Sequence, residues 1–262
     1  MRNMSTRSWV AMRYEKYVAL AACAVAGAFY AFGQGTEGLA FFSNFGLIAY
    51  MLAASLVGIF AYLRLGASKF TNASLGYAVG LLTWALGLSI YTYAYFVTEI
   101  GLPYLSVADV FYLLSYPAWM LGAVGTFRLY GRGIRRAGWL AVTAVGVVLY
   151  ALIIVYVIPA SVSGLESPIE AFVTALYPSL DVAFFLLILA IFIAFRAGIF
   201  EKAFSFMALG AVLLALGDLV YAVLSVTGLY YDGHPMDLLL FFGCVSAGYG
   251  FWRQHADLAK LK

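Results

Sequence analysis

Charged side chains make up only 10% of the 262 residues, against about a quarter in soluble domains. That scarcity excludes an ordinary water-soluble fold. Cysteine is nearly missing too: Cys23 and Cys244 both lie inside apolar runs and read as small packing residues, with no disulfide or metal pair between them. The two histidines, His234 and His255, fall outside those runs and have no cysteine or second histidine at ligand spacing. Haem, zinc and di-iron sites therefore lack a ligand set. No lysine sits within an apolar run, which removes a retinal Schiff base. A nucleophile elbow, a glycine-rich phosphate loop and an aspartate-rich metal motif are all absent. No cofactor is expected, and an integral membrane enzyme acting on a lipid or isoprenoid has no motif behind it. The net charge of +3 is scattered over loops, which gives nucleic acid no continuous patch to bind.

What the chain does have is apolar length. Hydrophobic residues form 65% of it, and the mean hydropathy is +0.96. Apolar runs cover 17–33, 41–63, 75–97, 106–130, 139–158, 168–195, 204–230 and 236–252, each near the ~17–25 residues of a spanning helix. The expected fold is all-α: a polytopic membrane protein of eight transmembrane helices forming one bundle over residues 1–262. The first run, behind Arg2, Arg7, Arg13 and Lys16, reads as a retained signal-anchor. All 15 lysines and arginines sit in the tails or in alternate loops, whereas the opposite loops carry Glu37, Glu99, Glu166 and Asp232. The positive-inside rule then puts both termini in the cytoplasm of a multi-pass cell-membrane protein, with Trp9, Trp139 and Trp252 at the cytoplasmic interface.

A parallel four-plus-four repeat is also expected, with halves 17–130 and 139–252. Ala85-Leu86-Gly87 followed by Tyr91 recurs as Ala215-Leu216-Gly217 followed by Tyr221, and each is followed by an aspartate opening the next helix, Asp109 or Asp237. Gly243 with Ala247, and Ser246 with Gly250, have the spacing of close helix packing.

The most informative stretch is 102–117, LPYLSVADVFYLLSYP. Ser106 reads as an N-cap with Asp109 in the first helical turn. Asp109, Tyr112 and Tyr116 then recur on one helix face. Pro103, Ser106, Ala108, Asp109, Phe111, Tyr112, Leu113, Tyr116 and Pro117 resemble a stretch in the multi-span membrane regions preceding GGDEF-type diguanylate cyclases and histidine kinases of bacteria and archaea. The resemblance implies a sensory or anchoring input that passes a signal to a cytoplasmic output domain. The chain stops about ten residues after the last run, so output is expected through a cytoplasmic or membrane signalling partner. The resemblance supplies no catalytic residues.

The candidate site follows from cost and periodicity. Asp181 and Asp218 lie within apolar runs, where a carboxylate costs about 2.5–3.5 kcal/mol on insertion scales. They are expected to face the interior, each about a dozen residues from the outer helix end, with Tyr177 and Tyr221 close by in sequence. Trp84, Tyr91 and Tyr95 share a face of the third run, and Tyr112, Tyr116 and Trp119 share one on the fourth. Such stripes at helical spacing are usually core packing. Their functional reading is an outward-facing pocket with Trp84 and Trp119 as its floor, holding a small or lipidic ligand within the lipid bilayer. A proton-linked transporter using Asp181 and Asp218 is the alternative.

Overall fold

The structure, a computed structural model, describes residues 6–98, 105–130, 134–163, 167–194 and 201–259. The expectations on Arg2, Glu99, Pro103, Arg132, Glu166, Arg196, Lys260 and Lys262 lie outside the described residues, as do those on the side chains of Arg7, Trp9 and Arg13. Among the described residues the fold is all-helical, with no strand. Eight helices follow one another: α1 (Thr6–Phe32), α2 (Glu37–Leu65), α3 (Lys69–Phe96), α4 (Val107–Tyr130), α5 (Arg136–Val162), α6 (Pro168–Ala194), α7 (Glu201–Val226) and α8 (Asp237–Ala259).

Local chemistry fixes the starts. Thr36 caps α2 by accepting the Leu39 N–H, and Ser68 and Thr71 form a reciprocal capping box on α3. Gly66, at φ 79°, ends α2 in a conformation that only glycine adopts without strain. Single π-helical turns interrupt α2 at Phe42–Gly46 and α5 at Ile153–Val157.

Helices α2 to α7 are each long and apolar enough to cross a membrane, which makes this a multi-pass helical membrane protein. The two outer members of the series differ. In α1 the apolar segment Lys16–Phe32 is shorter. α8, although 23 residues long, carries Asp237, Arg253 and Asp257 and is about half buried within the protein.

Six helices close a ring in the order α2, α3, α4, α6, α7, α8, each packed on the next and α8 on α2. α1 lies against α8, and α5 against α6. Small residues draw neighbours together. A Cβ on Gly76 would meet the Gly122 backbone at 2.6 Å, joining α3 to α4. One on Gly210 would meet Ala247 N at 2.7 Å, joining α7 to α8. Buried polar side chains add further links: Ser55 donates to the Ala78 carbonyl between α2 and α3, Ser246 to Phe206 between α8 and α7, and Gln254 to Phe70 across from α8 to α3. Each bond satisfies a polar group that lipid would leave unmet.

Candidate functional site

The ring encloses a cavity of about 740 Å³ at the end where α4 and α8 begin, within the 300–1,000 Å³ typical of small-molecule sites. Every ring helix contributes to its wall, and Ala160 and Ser161 of α5 reach it too. Trp84, Tyr91, Asp109, Tyr112, Tyr116 and Trp119 line it from α3 and α4. Tyr177 and Asp181 line it from α6, and Asp218 and Tyr221 from α7.

Its floor is built of rings. The Trp119 indole stands edge-on to Trp84 at 5.3 Å and to Tyr116 at 5.8 Å, and stacks on Phe184 at 5.3 Å. Beneath it Tyr77, Leu81, Met207 and Phe251 pack so closely that the residual void is about 10 Å³, room for about one water.

Above the floor, α4 and α6 exchange phenols and carboxylates. Tyr116 of α4 donates to Asp181 Oδ1 of α6 at 2.6 Å, and Tyr177 of α6 donates to Asp109 Oδ1 of α4 at 2.8 Å. Tyr177, the tyrosine nearest Asp181 in sequence, thus serves the other helix. Asp109 Oδ2 accepts the Ser106 N–H at 2.7 Å and the Ser106 hydroxyl at 3.1 Å, while Ser106 Oγ accepts the Ala108 N–H. Asp109 thus supplies the carboxylate half of a capping box while Ser106 Oγ caps the second helical N–H, and together they fix the α4 start. Asp181 is only 5% exposed.

Asp218 differs. Among the described residues it has no hydrogen-bond donor, it lies near enough to Asp181 to interact electrostatically, and it faces the cavity. α7 ends at Val226, so Asp218 lies eight residues, about 12 Å, from that end, whereas Asp181 lies thirteen residues into α6. The expected equal spacing from the helix ends does not hold, because the apolar run extends past the helix into a Gly228 turn.

Tyr95 does not line the cavity. It is 51% exposed, parallel to Tyr91 at 6.2 Å and edge-on to Phe96. One helical turn advances a side chain about 6 Å and rotates it about 40° from its predecessor. In the last turn of α3 that step carries Tyr95 beyond the rim.

Several lining residues carry no repeating signal in the sequence. Ser43 and Asn44 enter from the π turn of α2, and Asn44 donates to Asp232 at 3.1 Å. Asp237, 2% exposed, accepts from Tyr30 of α1 at 3.0 Å and from Tyr230 at 3.3 Å. A lone asparagine within an apolar run, and the correspondence of Asp237 with Asp109, were the signals available. Five aspartates thus line one cavity, and no lysine, arginine or histidine does among the described residues. No family model, curated protein or solved structure matches this chain.

Proposed function

We propose that the protein is a receptor-like membrane module that holds a small or lipidic ligand in this cavity, entered from the outer side, and acts through a partner. One observation carries the reading: a cavity of about 740 Å³ is walled by six ring helices and floored by Trp84 and Trp119. A ligand resting there would touch helices of both halves, so its binding energy would be available to shift one half against the other. The ring order supports the four-plus-four repeat, since α2, α3 and α4 occupy it in the same sequence as α6, α7 and α8. The basic ends of α2, α4 and α5 support eight spans with both termini cytoplasmic and the cavity facing outward. Coupling to a signalling partner rests on the resemblance of the 102–117 stretch.

Transport linked to protons is the second reading, favoured by the neighbouring Asp181 and Asp218 in mid-helix. The packed layer beneath Trp119 weighs against it, because the residues that line it are mostly apolar. The test is native mass spectrometry on protein released from its own membranes. A small-molecule adduct is expected on the wild-type chain and should be lost from Leu88→Trp, which fills the cavity from α3. A bare protein that no added compound stabilises would sink the reading. Proton uptake by sealed proteoliposomes would move the choice to transport.

A further inference from the structure

The chemistry of the cavity narrows its ligand, an argument that rests on the binding reading above. Four of the five lining aspartates receive donors from the protein. Asp109 is met by Ser106 and Tyr177, Asp181 by Tyr116, Asp232 by Asn44, and Asp237 by Tyr30 and Tyr230. These donors are neutral phenols, a hydroxyl, an amide and a backbone N–H, so they supply hydrogen bonds but no positive charge. Asp218 receives neither: it is half-buried, lacks a donor among the described residues, and opens onto the cavity. A carboxylate partly withdrawn from water without a donor or a countercharge is costly.

Three further observations say what would meet it. No three of the acidic, histidine and cysteine side chains come together among the described residues, so these side chains offer a metal ion no three-ligand set. The volume far exceeds that of a bare cation. Indole and phenol rings of Trp84, Tyr112 and Tyr221 share the wall with Asp218, and aromatic faces attract organic cations.

We infer that the cavity binds a protonated organic amine, with an ammonium N–H donating to Asp218 beside the aromatic wall. In a diamine or polyamine, the second ammonium meets Asp232 and Asp237 nearer the rim. The N–H matters. Asp218 lacks a hydrogen-bond donor as well as a countercharge, and a quaternary ammonium supplies only the charge.

The test uses the full-length protein in lipid nanodiscs and five probes: tyramine, spermidine, choline, 1,4-butanediol and succinate, with binding read by thermal shift and calorimetry. At least one of tyramine and spermidine is expected to bind, more tightly than choline, with butanediol and succinate silent. Asp218→Asn should weaken that amine at least tenfold. Because Asp218 bonds to none of the described residues, this variant should keep its fold, and an unchanged melting temperature without ligand verifies it. Glu37→Gln, exposed and outside the cavity, should leave the affinity unchanged. Binding of succinate or butanediol with both amines silent overturns the amine inference and leaves a ligand-binding cavity. An amine that binds Asp218→Asn as tightly as the wild type overturns the assignment to Asp218. If all five probes are silent the inference also falls, and the native mass spectrum separately decides whether the cavity binds anything.

Discussion

The two ends of the ring are built by the same six helices and differ in what fills the space between them. Toward the end where α2 and α4 finish, Tyr77, Leu81, Phe184, Met207 and Phe251 close the centre to a void of about 10 Å³. Toward the opposite end the centre opens to about 740 Å³. Between α3 and α4 the backbone separation does not explain the contrast, because close glycine contacts run along that pair at both levels. Gly76 lies against Gly122 below, and Gly87 against Tyr112 above. The fillers explain it. Large apolar side chains interdigitate and exclude water. Carboxylates and phenols cannot be packed that way unless every polar atom finds a partner.

The contrast is open to four measurements, the largest effect first. Gly76→Leu should break the lower end outright, since any side chain there meets the Gly122 and Ala118 backbone. Overpacking against backbone costs about 3 kcal/mol or more, and the expected outcome is loss of a monodisperse protein on gel filtration. A well-folded variant would mean the pair is loose.

Next, Phe184→Ala and Tyr221→Ala compare the two levels directly. Phe184 is 2% exposed and supports Trp119, so its truncation should cost about 3–5 kcal/mol in reversible unfolding. Tyr221 lines the cavity and is 45% exposed. Its loss should cost about 1 kcal/mol or less, so equal costs would erase the distinction between packed and open ends. Tyr116 is unsuited to that comparison. It is buried, bonded to Asp181 and packed on Trp119, so Tyr116→Ala would weaken fold and site together.

Within the open end, Asp181→Leu and Asp218→Leu should separate a partnered carboxylate from one with no donor among the described residues. The first strands the Tyr116 hydroxyl and should cost about 1–3 kcal/mol, while Asp181→Asn, which keeps an acceptor, should cost less. The second strands no donor among the described residues and should leave the apo melting temperature level or raised. Matching losses would show that Asp218 has an internal partner after all.

The smallest effect belongs to the basic end. His255 sits between Phe60 and Trp252, and burial, then the Arg64 guanidinium, hold its imidazole below the ordinary range. A depressed histidine favours the neutral ring in the folded state. Its contribution is therefore complete above the unfolded pKa and fades as pH falls below it. His255→Gln should flatten a shallow loss of stability on the acid side of pH 6.5, seen as converging melting curves, and parallel curves would dismiss the effect.

Local and periodic features were legible in the sequence because short-range physics fixes them. Apolar length set the helices, Ser106 and Asp109 set the start of α4, and the 3.6-residue repeat set which of Trp84, Tyr91, Tyr112, Tyr116 and Trp119 share a face. Partnership was not legible, because a helix repeat names a face and not the neighbour it meets. Only the tertiary arrangement decided that Tyr177 bonds Asp109 and not Asp181, that Asn44 crosses to Asp232, that Tyr30 reaches Asp237, and that Tyr95 clears the rim. Asp181 and Asp218 look alike in sequence, each an aspartate in an apolar run near a tyrosine. The α4–α6 contact brings Tyr116 to the first, while no described residue of the ring brings a donor to the second, and the relative placement of whole helices makes that difference.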